Sequence, residues 1–214
     1  MSPGEFLPLA DETGLIIQID RLMLRKAAAQ LVLWQQEFPE DPPLGVSVNI
    51  SGKHITQPDF VEYIVGVLNQ TGLNPASLNL EITENAVMGN NEIFLEVLDR
   101  LKDHGIQVQI DDFGVGYSSL NYLSHSSISV LKIDRSFIGK IPKDPDYIKI
   151  VQAIIKLTHG LGLTVVAEGV ETKDQLAQLN LLECEYIQGR LISMPEDYQN
   201  ITNLLKKERH TVQA

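Results

Sequence analysis

Cysteine is almost absent from this 214-residue chain, in which Cys184 is the only example. A single cysteine cannot form an intrachain disulfide, so we expect a reducing, cytoplasmic setting. No apolar run approaches the roughly 18 residues that a membrane-spanning helix needs. The first residues also lack the pattern of a secretory signal peptide. Together these absences predict a cytoplasmic segment that makes no contact with a membrane.

Positive charge is also scarce, since 17 lysines and arginines stand against 28 acidic residues, giving a formal net charge of −11. Such an excess of negative charge argues against binding to a nucleic acid polymer or an anionic membrane. An anionic small molecule stays possible as a substrate if bound metal ions reverse the local charge. The five histidines form no cluster in the sequence, which argues against a zinc site.

The stretch 106–138 contains the most concentrated polar motif of the chain. A β-branched run ends there in two adjacent acids, Asp111 and Asp112, which Phe113 and a Gly-Val-Gly turn follow. One acid could cap a following helix while the other is solvated. Two neighbouring carboxylates beside a glycine turn fit that interpretation less well, because like charges in contact need a cation or a proton.

Asp112, Phe113 and Gly114 also match the magnesium-binding tripeptide of protein kinases. The chain has no glycine-rich phosphate loop, no Val-Ala-Ile-Lys strand and no His-Arg-Asp loop upstream. The sequence therefore excludes a kinase.

Hydrophobic periodicity predicts strands that alternate strictly with helices, which is typical of an α/β fold with a parallel sheet. The predicted strands are Val46–Ile50, Leu78–Ile82, Gln107–Asp111, Val130–Ile133, Thr164–Ala167 and Tyr186–Gln188. The predicted helices cover about 2–13, 20–38, 56–71, 91–104, 145–160 and 172–181, with a polar helix at the C-terminus.

Each predicted strand has a polar or charged residue at or near its carboxyl end. In strand order these residues are Asn49, Glu81, the Asp111-Asp112 pair, Lys132 with Asp134, Glu168 and Gln188. In a barrel of βα units these ends converge on one face, where active sites lie. Oxygen donors of this kind suit Mg²⁺ or Mn²⁺, and the number of carboxylates suggests two-metal hydrolysis of a phosphate ester.

The ordered set of motifs resembles the EAL family of bacterial cyclic di-GMP phosphodiesterases. The motifs are Val48-Asn49-Ile50-Ser51, Glu81-Ile82-Thr83-Glu84, Asp111-Asp112-Phe113-Gly114-Val115-Gly116-Tyr117-Ser118-Ser119-Leu120, Lys132-Ile133-Asp134-Arg135-Ser136-Phe137, Ala167-Glu168-Gly169-Val170-Glu171-Thr172 and Gln188-Gly189. The resemblance extends from about residue 2 to 195. It implies a TIM-type (β/α)₈ barrel with an antiparallel first strand, and it places all of residues 1–214 in one EAL-type domain.

The resemblance further implies hydrolysis of cyclic di-GMP to linear pGpG with two divalent ions, Mg²⁺ or Mn²⁺. The implied metal ligands are Asn49, Glu81, Asp111, Asp112 and Glu168, with Asp111 bridging the two ions. Lys132 would contact the attacking water and Glu168 would accept its proton. The residues implied at the substrate edge are Asp134, Glu171 and Gln188, and those implied to anchor the Asp-Asp-Phe-Gly loop are Glu84, Gly114 and Gly116.

Three of these assignments have plainer alternatives. Glu84 and Glu171 could each complement a helix dipole at an N-terminus. Lys132 could be a simple ion-pair partner of Asp134. The resemblance also implies a homodimer or self-association through the Asp-Asp-Phe-Gly loop region, and an upstream sensory or diguanylate cyclase domain is possible in a parent protein.

The sequence departs from the family pattern in one major respect. The Glu-Ala-Leu motif that names the family supplies a metal ligand and is followed by a phosphate-binding arginine, but it occurs nowhere in this sequence. We therefore expect a partial barrel of about six parallel strands that lacks the first strands. The alternative function is a non-catalytic module that binds cyclic di-GMP or a protein partner.

Smaller departures lie around the substrate edge and the loop. Val115 stands where a small polar residue is usual, Arg190 replaces an aromatic residue, and Met194 replaces a basic one. None of them removes a metal ligand, but Val115 and Arg190 could alter the loop and the substrate edge.

Overall fold

The computed structural model describes residues 3–40, 42–88, 91–116, 120–141 and 143–212. Within these ranges, the chain forms one sheet of six strands in which every neighbouring pair is parallel. The strands are β1 Val46–Ile50, β2 Leu78–Thr83, β3 Gln107–Phe113, β4 Ile128–Ile133, β5 Thr164–Glu168 and β6 Tyr186–Gln188. The strand order follows the chain from β1 to β6, which is the order of a (β/α) barrel. The predicted α/β class and the six parallel strands are confirmed.

Helices occupy the connections between the strands. They are α1 Pro3–Thr13, α2 Ile16–Glu37, α3 Gly52–Ile55, α4 Phe60–Thr71, α5 Glu84–Met88, α6 Asn91–Asp103, α7 Arg135–Ile138, α8 Pro145–Gly160, α9 Lys173–Leu181 and α10 Tyr198–Val212. Short 3₁₀ turns at Pro75–Ser77 and Leu120–Ser124 precede β2 and β4. Among the described residues, no helix has the length and apolar character needed to cross a bilayer.

The core forms between one face of the sheet and the helices. Along β2, Leu78, Leu80 and Ile82 have no exposed surface and belong to the main hydrophobic cluster. The alternation of a strand puts Glu81 on the opposite face, with its side chain turned toward the barrel interior. Burying each large apolar side chain stabilises the fold by about 1.5–3 kcal/mol. The apolar face therefore holds the sheet together and leaves the other face free for polar groups.

One predicted helix begins later in the structure than the sequence indicated. Of the stretch predicted as a helix over 56–71, the part from Phe60 to Thr71 forms α4, and the short helix α3 lies before it at Gly52–Ile55. Ser51 begins α3, since its side chain accepts a hydrogen bond from His54 N. Pro58 disfavours a helical conformation at the residue before it, which explains why the helix restarts only at Phe60.

The boundaries of several other elements differ from the predicted ones. Helix α2 begins at Ile16 rather than near Asp20, and β4 begins at Ile128 rather than Val130. Strand β3 continues through both acids to Phe113. Both acids therefore belong to the strand, and neither of them caps a helix that follows directly.

The two outer strands leave backbone groups without a sheet neighbour. In the described part of the chain, β1 pairs only with β2 and β6 pairs only with β5. Unpaired edges promote pairing with another chain. We expect the 214-residue polypeptide to self-associate reversibly through these edges, which light scattering coupled to size exclusion would detect as a mass that rises with concentration.

Tyr186 offers a matched test of this prediction. Tyr186 lies on β6 and is 63% exposed, whereas Tyr198 lies on α10 and is 58% exposed. A lysine on an edge strand discourages pairing, so Tyr186→Lys should reduce the association while Tyr198→Lys should not. A polypeptide that stays monomeric at every concentration tested would contradict the prediction.

Candidate metal centre and substrate cleft

The carboxyl ends of four neighbouring strands bring four acids together around one lysine. We call Glu81, Asp111, Asp112 and Glu168 the acidic mouth. The ammonium group of Lys132 lies 3.0 Å from Glu81 Oε2, 3.4 Å from Asp111 Oδ1 and 2.6 Å from Glu168 Oε1. The lysine side chain is only 4% exposed, so these ion pairs are shielded from water.

The positions of these groups follow from the register of the sheet. Glu81 is the Cα partner of Asn49 on β1 and of Gln109 on β3. Asp111 is two residues beyond Gln109 and therefore points to the same face of β3. Between β3 and β4 the register shifts, from Ile110 paired with Leu131 to Phe113 paired with Ile133. This shift lies at the two acids, next to Lys132.

The acidic surroundings control the protonation of Lys132 and Glu168. Burial lowers the pKa of Lys132, but Glu81, Glu168 and Asp111 outweigh burial and leave this pKa above its ordinary value. Burial raises the pKa of Glu168, and this effect exceeds the opposing influence of Lys132. The lysine is therefore firmly protonated, and Glu168 is a stronger base than an exposed glutamate.

Asp112 has a strained backbone and a perturbed side chain. Its φ of 55° is in the left-handed region, which costs a non-glycine residue free energy and is frequent at functional sites. Its amide N donates to Asp111 Oδ1 at 3.0 Å. Burial, followed by the charges of Asp111 and Asp134, raises the pKa of the Asp112 carboxyl. A bound cation would relieve this concentration of negative charge.

The acidic mouth meets the chemical requirements of a divalent metal site. Asp111, Asp112 and Glu168 each offer a carboxylate oxygen, and these oxygens lie within 4.8 Å of one another. Glu81 is connected to these acids because it pairs with the same Lys132 ammonium as Asp111 and Glu168. Asn49 lies beside Glu81 on the neighbouring strand. All of these donors are hard oxygens, which suit Mg²⁺ or Mn²⁺. The residues present therefore fit the predicted cations, and their assignment as ligands stays a prediction.

Glu84 connects the second strand to the glycine turn after the acids. Its Oε2 accepts hydrogen bonds from Gly114 N at 3.0 Å and from Gly116 N at 3.2 Å. Glu84 is also the first residue of α5, so the dipole interpretation and the loop contact both apply. A side chain at Gly114 would approach the Phe137 ring to 2.8 Å, and its φ of +96° favours glycine. Of the longer loop motif, Tyr117, Ser118 and Ser119 lie outside the described residues.

The carboxylate of Asp134 does not form the ion pair with Lys132 that the sequence suggested as an alternative. Its carboxylate caps α7 by accepting a hydrogen bond from Ser136 N at 2.9 Å. Lys132 pairs with the three strand-end acids instead. After burial and the charge of Asp111, the charge of Asp134 also raises the pKa of the Asp112 carboxyl. Its predicted contact with substrate remains a prediction.

A cleft of about 480 Å³ opens beside the acidic mouth. Its lining includes Glu168, Glu171 and Gln188, together with two arginines, Arg135 and Arg190. Gln188 is the Cα partner of Glu168, so β6 lies next to the acidic mouth. The cleft therefore places Arg135 and Arg190 beside the acidic mouth, which suits a ligand with anionic groups.

Sequence reasoning missed two residues of this region. Gln109 is 8% exposed, and its Oε1 accepts a hydrogen bond from Ser47 Oγ at 3.3 Å, on the strand position that neighbours Glu81. The alternation of polar residues back from Asp111 could have indicated it. Arg135 lines the cleft because Gly169 has no side chain there, since a Cβ at Gly169 would approach Arg135 Cβ to 2.5 Å. No sequence pattern signals that contact.

Comparison with known families and proteins gives a consistent result. A family model for the EAL domain matches residues 1–195. The chain is 41% identical over 195 residues to the bifunctional diguanylate cyclase/cyclic di-GMP phosphodiesterase MucR of Pseudomonas aeruginosa. It is 40% identical over 209 residues to the cyclic di-GMP phosphodiesterase NbdA of the same organism. These alignments cover 91% and 98% of this chain.

A solved structure extends the similarity to three dimensions. The PaMucR phosphodiesterase in complex with c-di-GMP superposes with a TM-score of 0.89 and 39% sequence identity. The match covers 94% of this chain and 81% of that chain. This chain spans only 28% of MucR and 26% of NbdA, so the activities of those whole proteins do not transfer to it directly.

Proposed function

Because the chain belongs to the EAL domain family, we propose that it is a cyclic di-GMP phosphodiesterase domain that forms linear pGpG. The observation that carries this proposal is the pairing of Lys132 with three strand-end acids, next to Asp112 and beside a cleft whose lining includes two arginines. Two relatives of the chain are named as cyclic di-GMP phosphodiesterases, and a similar solved structure contains c-di-GMP.

The reaction adds water across one phosphodiester bond. The water oxygen bonds to phosphorus, the bond from phosphorus to the 3′ oxygen breaks, and that oxygen leaves with a proton. Two divalent cations held by Asn49, Glu81, Asp111, Asp112 and Glu168 would acidify the water and stabilise charge on the phosphate. Glu168 would accept the proton, since burial makes its carboxylate more basic. Lys132 would keep a fixed positive charge beside the reacting groups.

A direct assay tests the proposal. The protein would be incubated with cyclic di-GMP and Mn²⁺ or Mg²⁺, with a chelator in the parallel sample, and pGpG would be measured by chromatography. Binding would be measured on the same preparation by calorimetry. The proposal expects saturable binding and product that forms only with the cation. A protein that neither binds nor hydrolyses the cyclic dinucleotide would refute it.

Thermal stability provides an independent test of the metal centre. The acids of the mouth repel one another, with one lysine to offset them, so a cation that binds only the folded state should raise the melting temperature. We expect millimolar Mn²⁺ to shift the melting curve upward by several degrees relative to a chelator. Coincident melting curves in the two conditions would show that the acids hold no ion.

The missing Glu-Ala-Leu motif favours a second candidate, a module that binds cyclic di-GMP without efficient turnover. No such tripeptide occurs in the sequence, and among the described strands β1 and β6 each lack a neighbour on one side. Losing one positioned ligand or charge-stabilising group commonly lowers a hydrolytic rate by about 10²-fold or more. A polypeptide of these 214 residues alone should therefore bind the dinucleotide but hydrolyse it very slowly.

To test this expectation, the hydrolysis rate of the 214-residue polypeptide is compared with that of a longer polypeptide. The longer form carries an upstream Glu-Ala-Leu segment joined to the same residues. This longer form should produce pGpG at least about 10²-fold faster under identical conditions. Equal rates from the two forms would show that the motif is dispensable and that the first metal is held differently. Proteins of both lengths should be checked for matching melting behaviour before rates are compared.

A further inference from the structure

Arg190 is a cation held on a rigid turn at the wall of the substrate cleft. The turn is tied to the segment after β5 by two backbone hydrogen bonds, one from Val170 N to Gln188 O at 3.1 Å and one from Leu191 N to Val170 O at 3.0 Å. These bonds lie on either side of Arg190. The backbone of Arg190 is therefore fixed relative to Glu168 and the metal centre, to which β5 leads.

Gly189 makes this close approach possible. A Cβ at Gly189 would lie 2.2 Å from Val170 O and 2.4 Å from Val170 N, distances that no real side chain tolerates. Because these are backbone atoms, they cannot move aside without breaking the two hydrogen bonds. The backbone next to Arg190 therefore packs against Val170, just after β5, and only glycine at position 189 allows this close approach.

The side chain of Arg190 is free to move, in contrast to its backbone. Its guanidinium makes one ion pair, 3.5 Å from Glu171 Oε1, and the two side chains are 68% and 55% exposed. An exposed pair at this distance contributes little and exchanges readily for a better anionic partner. A phosphate is such a partner, since guanidinium groups bind it through two parallel hydrogen bonds.

The charged residues that line the cleft indicate a role for the Arg190 guanidinium. Among the residues that line it, Arg190 and Arg135 are the positive groups and Glu168 and Glu171 the negative ones. Arg135 packs directly against Gly169, where a Cβ would lie 2.5 Å from Arg135 Cβ. We propose that Arg190 exchanges Glu171 for a phosphate of the bound cyclic dinucleotide, and so positions the substrate across the cleft. This proposal rests on the function proposed above.

Binding measurements test the proposal without relying on turnover. The affinity of the 214-residue protein for cyclic di-GMP would be measured by calorimetry with Mn²⁺, for the wild type and for Arg190→Ala, Arg190→Lys and Arg25→Ala. Arg25 is an exposed arginine on α2 that lines a different groove, and it serves as the matched control. We expect Arg190→Ala to weaken binding about 5- to 20-fold, Arg190→Lys to weaken it less, and Arg25→Ala to have no effect.

Two further readouts separate a phosphate contact from a merely structural role. The affinity of the wild type should fall more steeply with added salt than that of Arg190→Ala, because a charge–charge contact has been removed. Arg190→Ala should weaken competition by GMP but not by guanosine, which has no phosphate. The melting temperatures of the three variants should match the wild type, because both arginines are exposed.

The outcomes distinguish this proposal from the one on which it rests. If the wild type binds cyclic di-GMP and Arg190→Ala binds it equally well, the role of Arg190 is refuted while the proposed function stands. Equal weakening of GMP and guanosine would also refute the phosphate contact. If the wild type does not bind the cyclic dinucleotide at all, both proposals are overturned.

Discussion

Replacing Lys132 with methionine is expected to lower the free energy of unfolding by about 3–5 kcal/mol in the presence of a chelator. The lysine side chain is 4% exposed, and its ammonium lies within 3.4 Å of oxygens from Glu81, Asp111 and Glu168. Methionine keeps much of the volume of the buried stem, so the change mainly removes the positive charge. The acids would then repel one another in a shielded environment with no cation to offset them.

Mn²⁺ should reverse much of this loss, and this reversal is the more specific part of the prediction. A divalent cation supplies the charge that the lysine provided, and it no longer meets the repulsion of an ammonium group. The Mn²⁺-induced rise in melting temperature should therefore be larger for Lys132→Met than for the wild type. Hydrolysis should stay severely impaired, because the fixed charge beside the reacting phosphate is missing.

Lys149 provides the matched control for this variant. Its ammonium pairs with Asp146 at 2.9 Å, but the two side chains are 75% and 78% exposed. Exposed pairs of this kind contribute about 0–1 kcal/mol, so Lys149→Met should unfold almost like the wild type with or without Mn²⁺. Chemical denaturation of the three proteins in chelator and in Mn²⁺ measures all of these effects. Equal stability of Lys132→Met and Lys149→Met in chelator would contradict the prediction.

The broad architecture of the candidate site could be predicted because it depends on two regular patterns in the sequence. Alternation along a strand and the repetition of βα units put Asn49, Glu81 and Glu168 near the carboxyl ends of β1, β2 and β5. Parallel strands share one carboxyl edge, so neighbouring strand ends had to meet there. These regularities do not depend on the detailed packing, which is why the six strands and the acidic edge could be expected from sequence.

The detailed contacts could not be predicted, because they depend on irregularities. Lys132 meets Asp111 where the register between β3 and β4 shifts, and no sequence rule gives the position of such a shift. Asp112 has a positive φ that is ordinarily associated with glycine. The contact of Arg135 with Gly169 joins segments that are distant in sequence. Each of these features is fixed by tertiary packing, which outweighs local preference.

Asp111→Asn should have the opposite effect on stability from Lys132→Met. The acidic mouth contains four carboxylates and one ammonium, so removing one negative charge lowers the repulsion among those that remain. The asparagine side chain keeps the shape of aspartate, and its oxygen can still accept the hydrogen bond from Asp112 N, which is 3.0 Å from Asp111 Oδ1. In chelator, the variant should therefore be as stable as the wild type or more stable.

The same substitution should remove almost all catalytic function. Asp111 is the residue predicted to bridge both cations, so a neutral amide weakens two sites at once. In the longer form that carries a Glu-Ala-Leu segment, we expect production of pGpG to fall by at least about 10³-fold. In the 214-residue protein, the rise in melting temperature caused by Mn²⁺ should largely disappear. Asp146→Asn, an exposed change on α8, should alter neither quantity.

The two variants together test whether the acids act as a single metal-binding group. Lys132→Met removes the internal cation and should increase the response to Mn²⁺, whereas Asp111→Asn removes a ligand and should abolish it. A site that is only a network of ion pairs predicts no Mn²⁺ response in either protein. Sustained pGpG production by Asp111→Asn in the longer form, at more than about a tenth of the wild-type rate, would exclude a bridging role for this carboxylate.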